Sequence, residues 1–95
     1  IMKKVVACHL PQNCSISNVN ALRQELTQLL SHKSKLTVTL NGVDVQKVDS
    51  AGIQILYAFV AALKAKGGQC KWVEPSTRLL KSAGLLGMAR QLELP

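Results

Sequence analysis

Apolar residues recur along this chain in two rhythms, one typical of strands and one typical of helices. Every second residue is apolar across residues 36–40, where the sequence reads Leu-Thr-Val-Thr-Leu. This alternation predicts a strand with one face on a hydrophobic core. Short runs at residues 4–10 and 69–73, bounded by Pro11 and Pro75, predict two further strands. The tail, from Ala89 to Leu94, is compatible with either a short helix or an edge strand.

Apolar residues at helical spacing separate these strands. The first helical segment follows Ser17 and Asn18, either of which could cap it. The second begins at Ser50 and ends at Gly67-Gly68, which favours a left-handed stop. Its apolar arc is broad, so we expect a helix that is largely enclosed or offers a face to a partner. The apolar stripes are Val19, Leu22, Leu26, Leu29 and Leu30 in the first helix, and Ile53, Leu56, Tyr57, Val60 and Leu63 in the second.

A third, shorter helix is predicted after the last strand. Ser76 is placed to cap it, and we expect Leu79, Leu80 and Ala83 to point inward. The resulting order, β-α-β-α-β-α, indicates crossover helices between parallel strands. The predicted fold class is therefore α/β, with a mixed, mostly parallel sheet of about four strands and helices mainly on one face. Residues 1–95 are expected to form a single domain.

Charge and composition narrow the functional classes. The chain carries 12 Lys and Arg against 5 Asp and Glu, a net charge of +7, and 47% of its residues are hydrophobic. The basic residues are spread along the whole chain without interleaved aromatic residues, which argues against nucleic-acid binding and favours an acidic protein partner. No apolar run reaches the length of a membrane span, so we expect a cytoplasmic protein without membrane insertion.

The residues that commonly carry catalysis or hold metals form no recognisable constellation. Cys8, Cys14 and Cys70 are odd in number and lack the Cys-x-x-Cys spacing, so we expect free thiols rather than disulfides or a zinc site. His9 and His32 fall on different predicted elements, with no carboxylate near them in sequence. No phosphate-binding glycine motif is present. We therefore expect a protein that is not an enzyme and uses no cofactor or metal.

One segment combines several features of a binding site. Asp49, Ser50, Ala51 and Gly52 follow a strand and open the second helix, where free N–H groups and the helix dipole favour a negative charge. Ser50 is a candidate cap with its hydroxyl at the exposed helix start, and the small residues after it would let another protein approach. The plain structural alternative is that Asp-Ser before an apolar helix is only capping chemistry.

The same segment resembles the signature of STAS domains, the family of the anti-sigma-factor antagonists. In that family a strand ending in a Leu-x-Gly-Val-like turn, here Leu40 to Val43, leads to Asp-Ser/Thr-x-Gly at a helix start, here Asp49 to Gly52. The order of predicted elements from Val5 to about Leu94 also matches. The stretch after the first strand departs from the family pattern, reading Gln12-Asn13-Cys14-Ser15.

The resemblance implies a regulatory binding module with two alternative modes of action. In the first, a GHKL-type serine kinase, often an anti-sigma factor, phosphorylates Ser50 and a phosphatase reverses this, which switches partners. In the second, the domain is a regulatory subunit of a phospholipid ABC transporter and docks its ATPase without phosphorylation. Both place the partner-binding residues at the start of the second helix: Asp49, Ser50, Ala51, Gly52 and Gln54.

Overall fold

The computed structural model describes residues 4–31 and 35–95 and contains two small parallel sheets and three α-helices. The elements, in chain order, are β1 (Lys4–His9), β2 (Asn13–Cys14), α1 (Val19–Leu30), β3 (Leu36–Asn41), β4 (Lys47–Val48), α2 (Ser50–Ala65), β5 (Gln69–Val73) and α3 (Thr77–Leu85). A single 3-10 turn, Ile16–Asn18, connects β2 to α1. The predicted α/β class is confirmed.

The main sheet has three strands in the order β1-β3-β5, and every pair is parallel. The connections through α1 and α2 advance in the same direction across this sheet, so right-handed crossovers place both helices on one face. The two helices pack against each other, and α2 also packs against β5. The predicted arrangement with helices mainly on one face follows from this topology, although the main sheet has three strands rather than about four.

A second sheet forms between two segments for which the sequence predicted no strand pairing. Asn13 and Cys14 of β2 pair in parallel with Lys47 and Val48 of β4. This two-residue pairing is too short for a periodic signal, and it depends on segments more than thirty residues apart. It brings the chain before α1 beside the chain before α2, which positions the candidate site.

Strand β3 shows most clearly why the alternating pattern forms a half-covered sheet. Leu36, Val38 and Leu40 are buried under the helices, whereas Thr37 and Thr39 on the other face are half-buried. Burying aliphatic side chains on one face supplies the main driving force, about 1.5–3 kcal/mol for each fully buried side chain. The opposite face therefore needs no apolar residues in this strand.

The helices bury most, but not all, of the predicted positions. Leu22 and Leu26 of α1 are buried, as are Ile53 and Leu56 of α2. Tyr57 is 38% exposed, so the α2 stripe is narrower than predicted. In α3, Leu79 and Ala83 point inward as expected, but Leu80 is 37% exposed, which corrects its prediction as an inward residue. A nine-residue helix packed along one side buries only one narrow face.

The ends of the helices test the capping predictions. Ser76 caps α3, because its Oγ accepts the N–H of Leu79 at 3.1 Å. Gly67 adopts the predicted left-handed conformation after α2, with φ of 81°. At α1 the prediction is wrong: Asn18 occupies the cap position without accepting a bond there and instead donates to the carbonyl of Asn13. The 3-10 turn of residues 16–18 runs directly into this helix, so α1 begins without a side-chain cap.

The tail is neither the helix nor the edge strand considered from the sequence. Residues 89–93 form consecutive turns, in which the N–H of Leu92 donates to the carbonyl of Met88. Leu92 is fully buried, and its carbonyl accepts the indole N–H of Trp72 at 2.7 Å. The ion pair of Lys64 with Glu93, at 2.8 Å, holds the tail against the end of α2.

Candidate functional site

The start of α2 is built around one carboxylate. Asp49 takes an extended backbone conformation and occupies the cap position, and its Oδ1 accepts the N–H of Gly52 at 3.0 Å. Its Oδ2 accepts the N–H of Ile16 at 2.9 Å, from the 3-10 turn before α1. One side chain therefore closes the helix and ties together two segments that are distant in sequence.

These hydrogen bonds also set the acidity of Asp49. The N–H groups of Ile16 and Gly52 stabilise the charged form, so the pKa of this carboxyl lies below its ordinary value of 3.8. The bond from Ile16 is the larger cause and that from Gly52 the second. At neutral pH the carboxylate is ionised, and both of its oxygens are engaged.

Ser50 is not the cap, which corrects the interpretation of its hydroxyl from the sequence. Asp49 already fills that position, and Ser50 becomes the first residue of α2. Its side chain is exposed, and it makes no side-chain hydrogen bond within residues 4–31 and 35–95. The hydroxyl therefore lies at the positive end of the helix dipole with no structural task among these residues.

Gly52 has a different task from the one its small size suggested. It is buried, and a Cβ at this position would lie 1.7 Å from the carbonyl oxygen of Cys14. The missing side chain therefore allows the first turn of α2 to rest on β2, rather than opening the backbone to a partner. Ala51 beside it is half-buried, and its small side chain projects little from the surface of the site.

Two other residues extend the exposed part of this site. Gln54 is exposed one turn after Ser50, so both side chains lie on the same side of the helix. Ile16, whose N–H binds Asp49, is 67% exposed. A single exposed apolar residue is common on protein surfaces, so Ile16 alone does not mark a binding site, but it places an apolar side chain beside the helix start. We call Ile16, Asp49, Ser50, Ala51 and Gln54 together the α2-start surface.

Ile16 was not among the residues predicted from the sequence. The residue is separated from Ser50 by more than thirty positions, and only the pairing of β2 with β4 brings the two segments together. The one local signal was an isolated apolar residue in a polar loop, between Ser15 and Ser17. An apolar residue that belongs to no predicted strand or helix face is a candidate for an exposed contact.

Among the described residues, the three cysteines and His9 form no second site. All three cysteines are buried free thiols, as predicted. Burial raises the pKa of Cys8 and Cys14 to about 11 and that of Cys70 to about 12, so the thiols stay protonated at neutral pH. No carboxylate is near His9 in sequence, but the fold brings Asp44 to it, with His9 Nε2 2.6 Å from Asp44 Oδ2 at the surface.

His32 lies outside the described residues. In the described parts of the chain, no group of three His, Cys, Asp or Glu side chains is arranged to hold a metal ion. Within the same ranges, no helix is long and apolar enough to cross a membrane.

Fold and site together define a small α/β domain with an exposed helix start that Asp49 caps. A family model described as Mlab, STAS domain matches residues 5–94, nearly the whole chain. The chain belongs to the STAS domain family. Proteins of this family are generally non-catalytic regulatory modules that bind other proteins.

A solved structure agrees with this assignment at the level of the fold. The chain is similar to the NMR structure of the protein TM1081, with a TM-score of 0.72 and 15% sequence identity. The similarity covers 95% of this chain and 73% of that one. No curated protein matches the chain significantly.

Proposed function

We propose that this domain is a non-catalytic partner switch that captures a GHKL-type serine kinase through the α2-start surface and releases it when Ser50 is phosphorylated. The observation that carries this proposal is the exposed hydroxyl of Ser50, which makes no hydrogen bond with the residues that the structure describes, because Asp49 caps the helix instead. A kinase can use that hydroxyl without dismantling the helix start. A phosphatase would reverse the modification.

The electrostatics of the helix start support such a switch. A phosphate would bring about −1.5 to −2 charges to the first turn of α2, where the helix dipole favours negative charge. The neighbouring charge of Asp49 is already compensated by two N–H groups. The domain therefore keeps its fold when phosphorylated, while an acidic or apolar partner surface packed on Ser50 is repelled.

A second candidate follows from the way Asp49 joins the two segments of the same surface. The domain would be a constitutive regulatory subunit of a phospholipid ABC transporter, with its ATPase bound at the α2-start surface and Ser50 acting as an unmodified contact. Asp49 holds the 3-10 turn and α2 in one arrangement, and Ile16 is an exposed apolar anchor within it. A preorganised surface with a central apolar residue suits a stable interface.

Phosphorylation separates the two candidates. The purified domain is incubated with ATP and the GHKL-type kinase from the same source, and phosphate is located by mass spectrometry. The switch predicts one phosphate on Ser50 and none in the Ser50→Ala variant. Thr77, the exposed first residue of α3, is the internal control. An unmodified Ser50, together with stable co-purification with a transporter ATPase, would contradict the switch and support the subunit.

A further inference from the structure

A groove between α1 and α2 lies away from the α2-start surface. Its volume is about 280 Å³, close to the lower end of the range for small-molecule sites, about 300–1,000 Å³. Six of its eight lining side chains are apolar, so it is suited to aliphatic rather than polar matter. The lining residues are Arg23, Leu26, Thr27, Leu30, Ile55, Ala58, Phe59 and Ala62.

The groove exists because small residues stand where α2 faces α1. Ala58 and Ala62 are one turn apart on α2 and share that face. Leu26 and Phe59 are buried beneath them and make an apolar floor. Two larger side chains at the alanine positions would fill this space.

Polar groups occur only on the α1 side of the groove. Arg23 is exposed and makes no hydrogen bond or ion pair with the residues that the structure describes. Thr27 follows it by one turn on the same helix face. No Asp or Glu lines the groove. An uncompensated guanidinium beside an apolar channel is complementary to a carboxylate, which it can bind in bidentate fashion.

We propose that this groove binds a medium-length acyl chain with a terminal carboxylate, the chain lying against Leu26, Phe59 and Ala62 and the carboxylate on Arg23. From Arg23 to Leu30 the groove runs along eight residues of α1, and the seven steps between them, at about 1.5 Å each, span roughly 10 Å. An amphipathic helix from another protein is about 10–12 Å wide with its side chains, and a groove of 280 Å³ would leave most of its apolar face uncovered.

This site goes beyond the proposed partner switch and does not rest on it. Its lining residues are separate from Ile16, Asp49, Ser50, Ala51 and Gln54. Loss of acyl-chain binding would leave the docking of a kinase or an ATPase untouched, and the reverse also holds.

The test is a titration of the whole chain with decanoate below its micellar concentration, followed by backbone amide NMR shifts. We expect saturable shifts confined to the middle of α1 and of α2. Decylammonium, which has the same chain and the opposite charge, should bind at least about tenfold more weakly, as expected for a charge-assisted hydrogen bond. Equal binding of the two amphiphiles, or shifts spread over the whole domain, would overturn the proposal.

Variants assign the binding to the groove. Ala62→Leu should abolish binding by filling the space, and Ala58→Leu, at an exposed position, should do the same without burying new volume in the core. The matched control is Ala61→Leu, on the exposed side of the same helix and outside the groove, which should bind like the natural chain. Arg23→Gln should weaken decanoate about tenfold and leave decanol unchanged.

Three outcomes would contradict this assignment. The first is an equal loss of binding in the Ala61 and Ala58 variants. The second is an undiminished affinity for decanoate in Arg23→Gln. The third is a groove that is saturated by an apolar helical peptide but not by decanoate.

Discussion

The starts of α2 and α3 are built on the same plan and differ in what surrounds them. In each, a cap side chain accepts the N–H three residues later, Asp49 at 3.0 Å and Ser76 at 3.1 Å. In each, an exposed hydroxyl residue comes next, Ser50 or Thr77. Each hydroxyl lies at the positive end of the dipole of its own helix. The dipole alone therefore does not distinguish a docking site from an ordinary helix start.

The surroundings make the difference. Asp49 uses its second oxygen to hold Ile16, whose exposed side chain joins the surface. The residue after Ser50 is Ala51, whereas the residue after Thr77 is the long, charged Arg78. A partner can therefore approach the start of α2 closely and find an apolar contact beside it. These two differences are the reason we propose the start of α2, rather than that of α3, as the docking surface.

The largest expected effect concerns the two helical glycines. Gly52→Ala should destabilise the domain by about 3 kcal/mol or more, because the new Cβ would collide with the Cys14 carbonyl and the backbone must move. Gly84→Ala in α3 meets no atom within 4 Å and should stabilise by about 0.5–1 kcal/mol, through the better helix propensity of alanine. Urea denaturation measures both. Equal effects would show that α2 does not rest on β2.

The next effect concerns Asp49 and its dependence on pH. Asp49→Asn keeps one acceptor oxygen but loses the second, so the N–H groups of Ile16 and Gly52 cannot both be satisfied. Because the folded pKa is lowered, the stabilisation by the natural carboxylate is fully present above the ordinary value of 3.8 and is lost as the pH falls through the lower folded pKa. Melting temperatures at pH 7 and pH 3 should therefore differ more for the natural chain than for the variant.

Replacing the α3 cap has a moderate expected effect. Ser76→Ala removes the acceptor for the Leu79 N–H and should cost about 1 kcal/mol in the free energy of unfolding. Ser76→Asp keeps an acceptor at the helix start and serves as the control, with most of the stability retained. A loss of the same size in both variants would mean that the side-chain hydrogen bond is not what Ser76 contributes.

The smallest expected effect is that of Ser50→Ala. The hydroxyl caps nothing, so the free energy of unfolding should change by less than about 0.5 kcal/mol, as for most surface substitutions. The same urea denaturation experiment compares it with Ser76→Ala. If Ser50→Ala were as costly as Ser76→Ala, Ser50 would be a structural residue and the contrast between the two helix starts would disappear.

The two helix starts also show what a sequence can and cannot predict here. Ser76 stands directly after Glu74-Pro75, and serine is a better cap than the threonine that follows it at position 77, so local rules identify Ser76 as the cap. At α2, Asp49 and Ser50 are both good caps, and the choice depends on the N–H of Ile16, which only the folded chain brings near. The order of strands and helices was predictable because helical and alternating apolar patterns involve only residues that are close in sequence.

The non-local part of the site was beyond such rules. The pairing of β2 with β4 involves two residues on each side and leaves no periodic trace. The close approach of Gly52 to Cys14 depends on that pairing, so the glycine was interpreted as open to a partner when it is buried. The same pairing brings Ile16 to Asp49. The start of α2 as the candidate site therefore stays a prediction, whereas the contacts inside that helix start could not be predicted from the sequence.

The most direct test of the account compares a negative charge at the two helix starts. Binding of a partner, the GHKL-type kinase or the transporter ATPase, is measured by calorimetry for the natural chain, Ser50→Asp and Thr77→Asp. The account predicts that Ser50→Asp loses binding while Thr77→Asp keeps it, with both variants folded. Undiminished binding by Ser50→Asp, or an equal loss in both variants, would contradict the claim that the start of α2 is the docking surface.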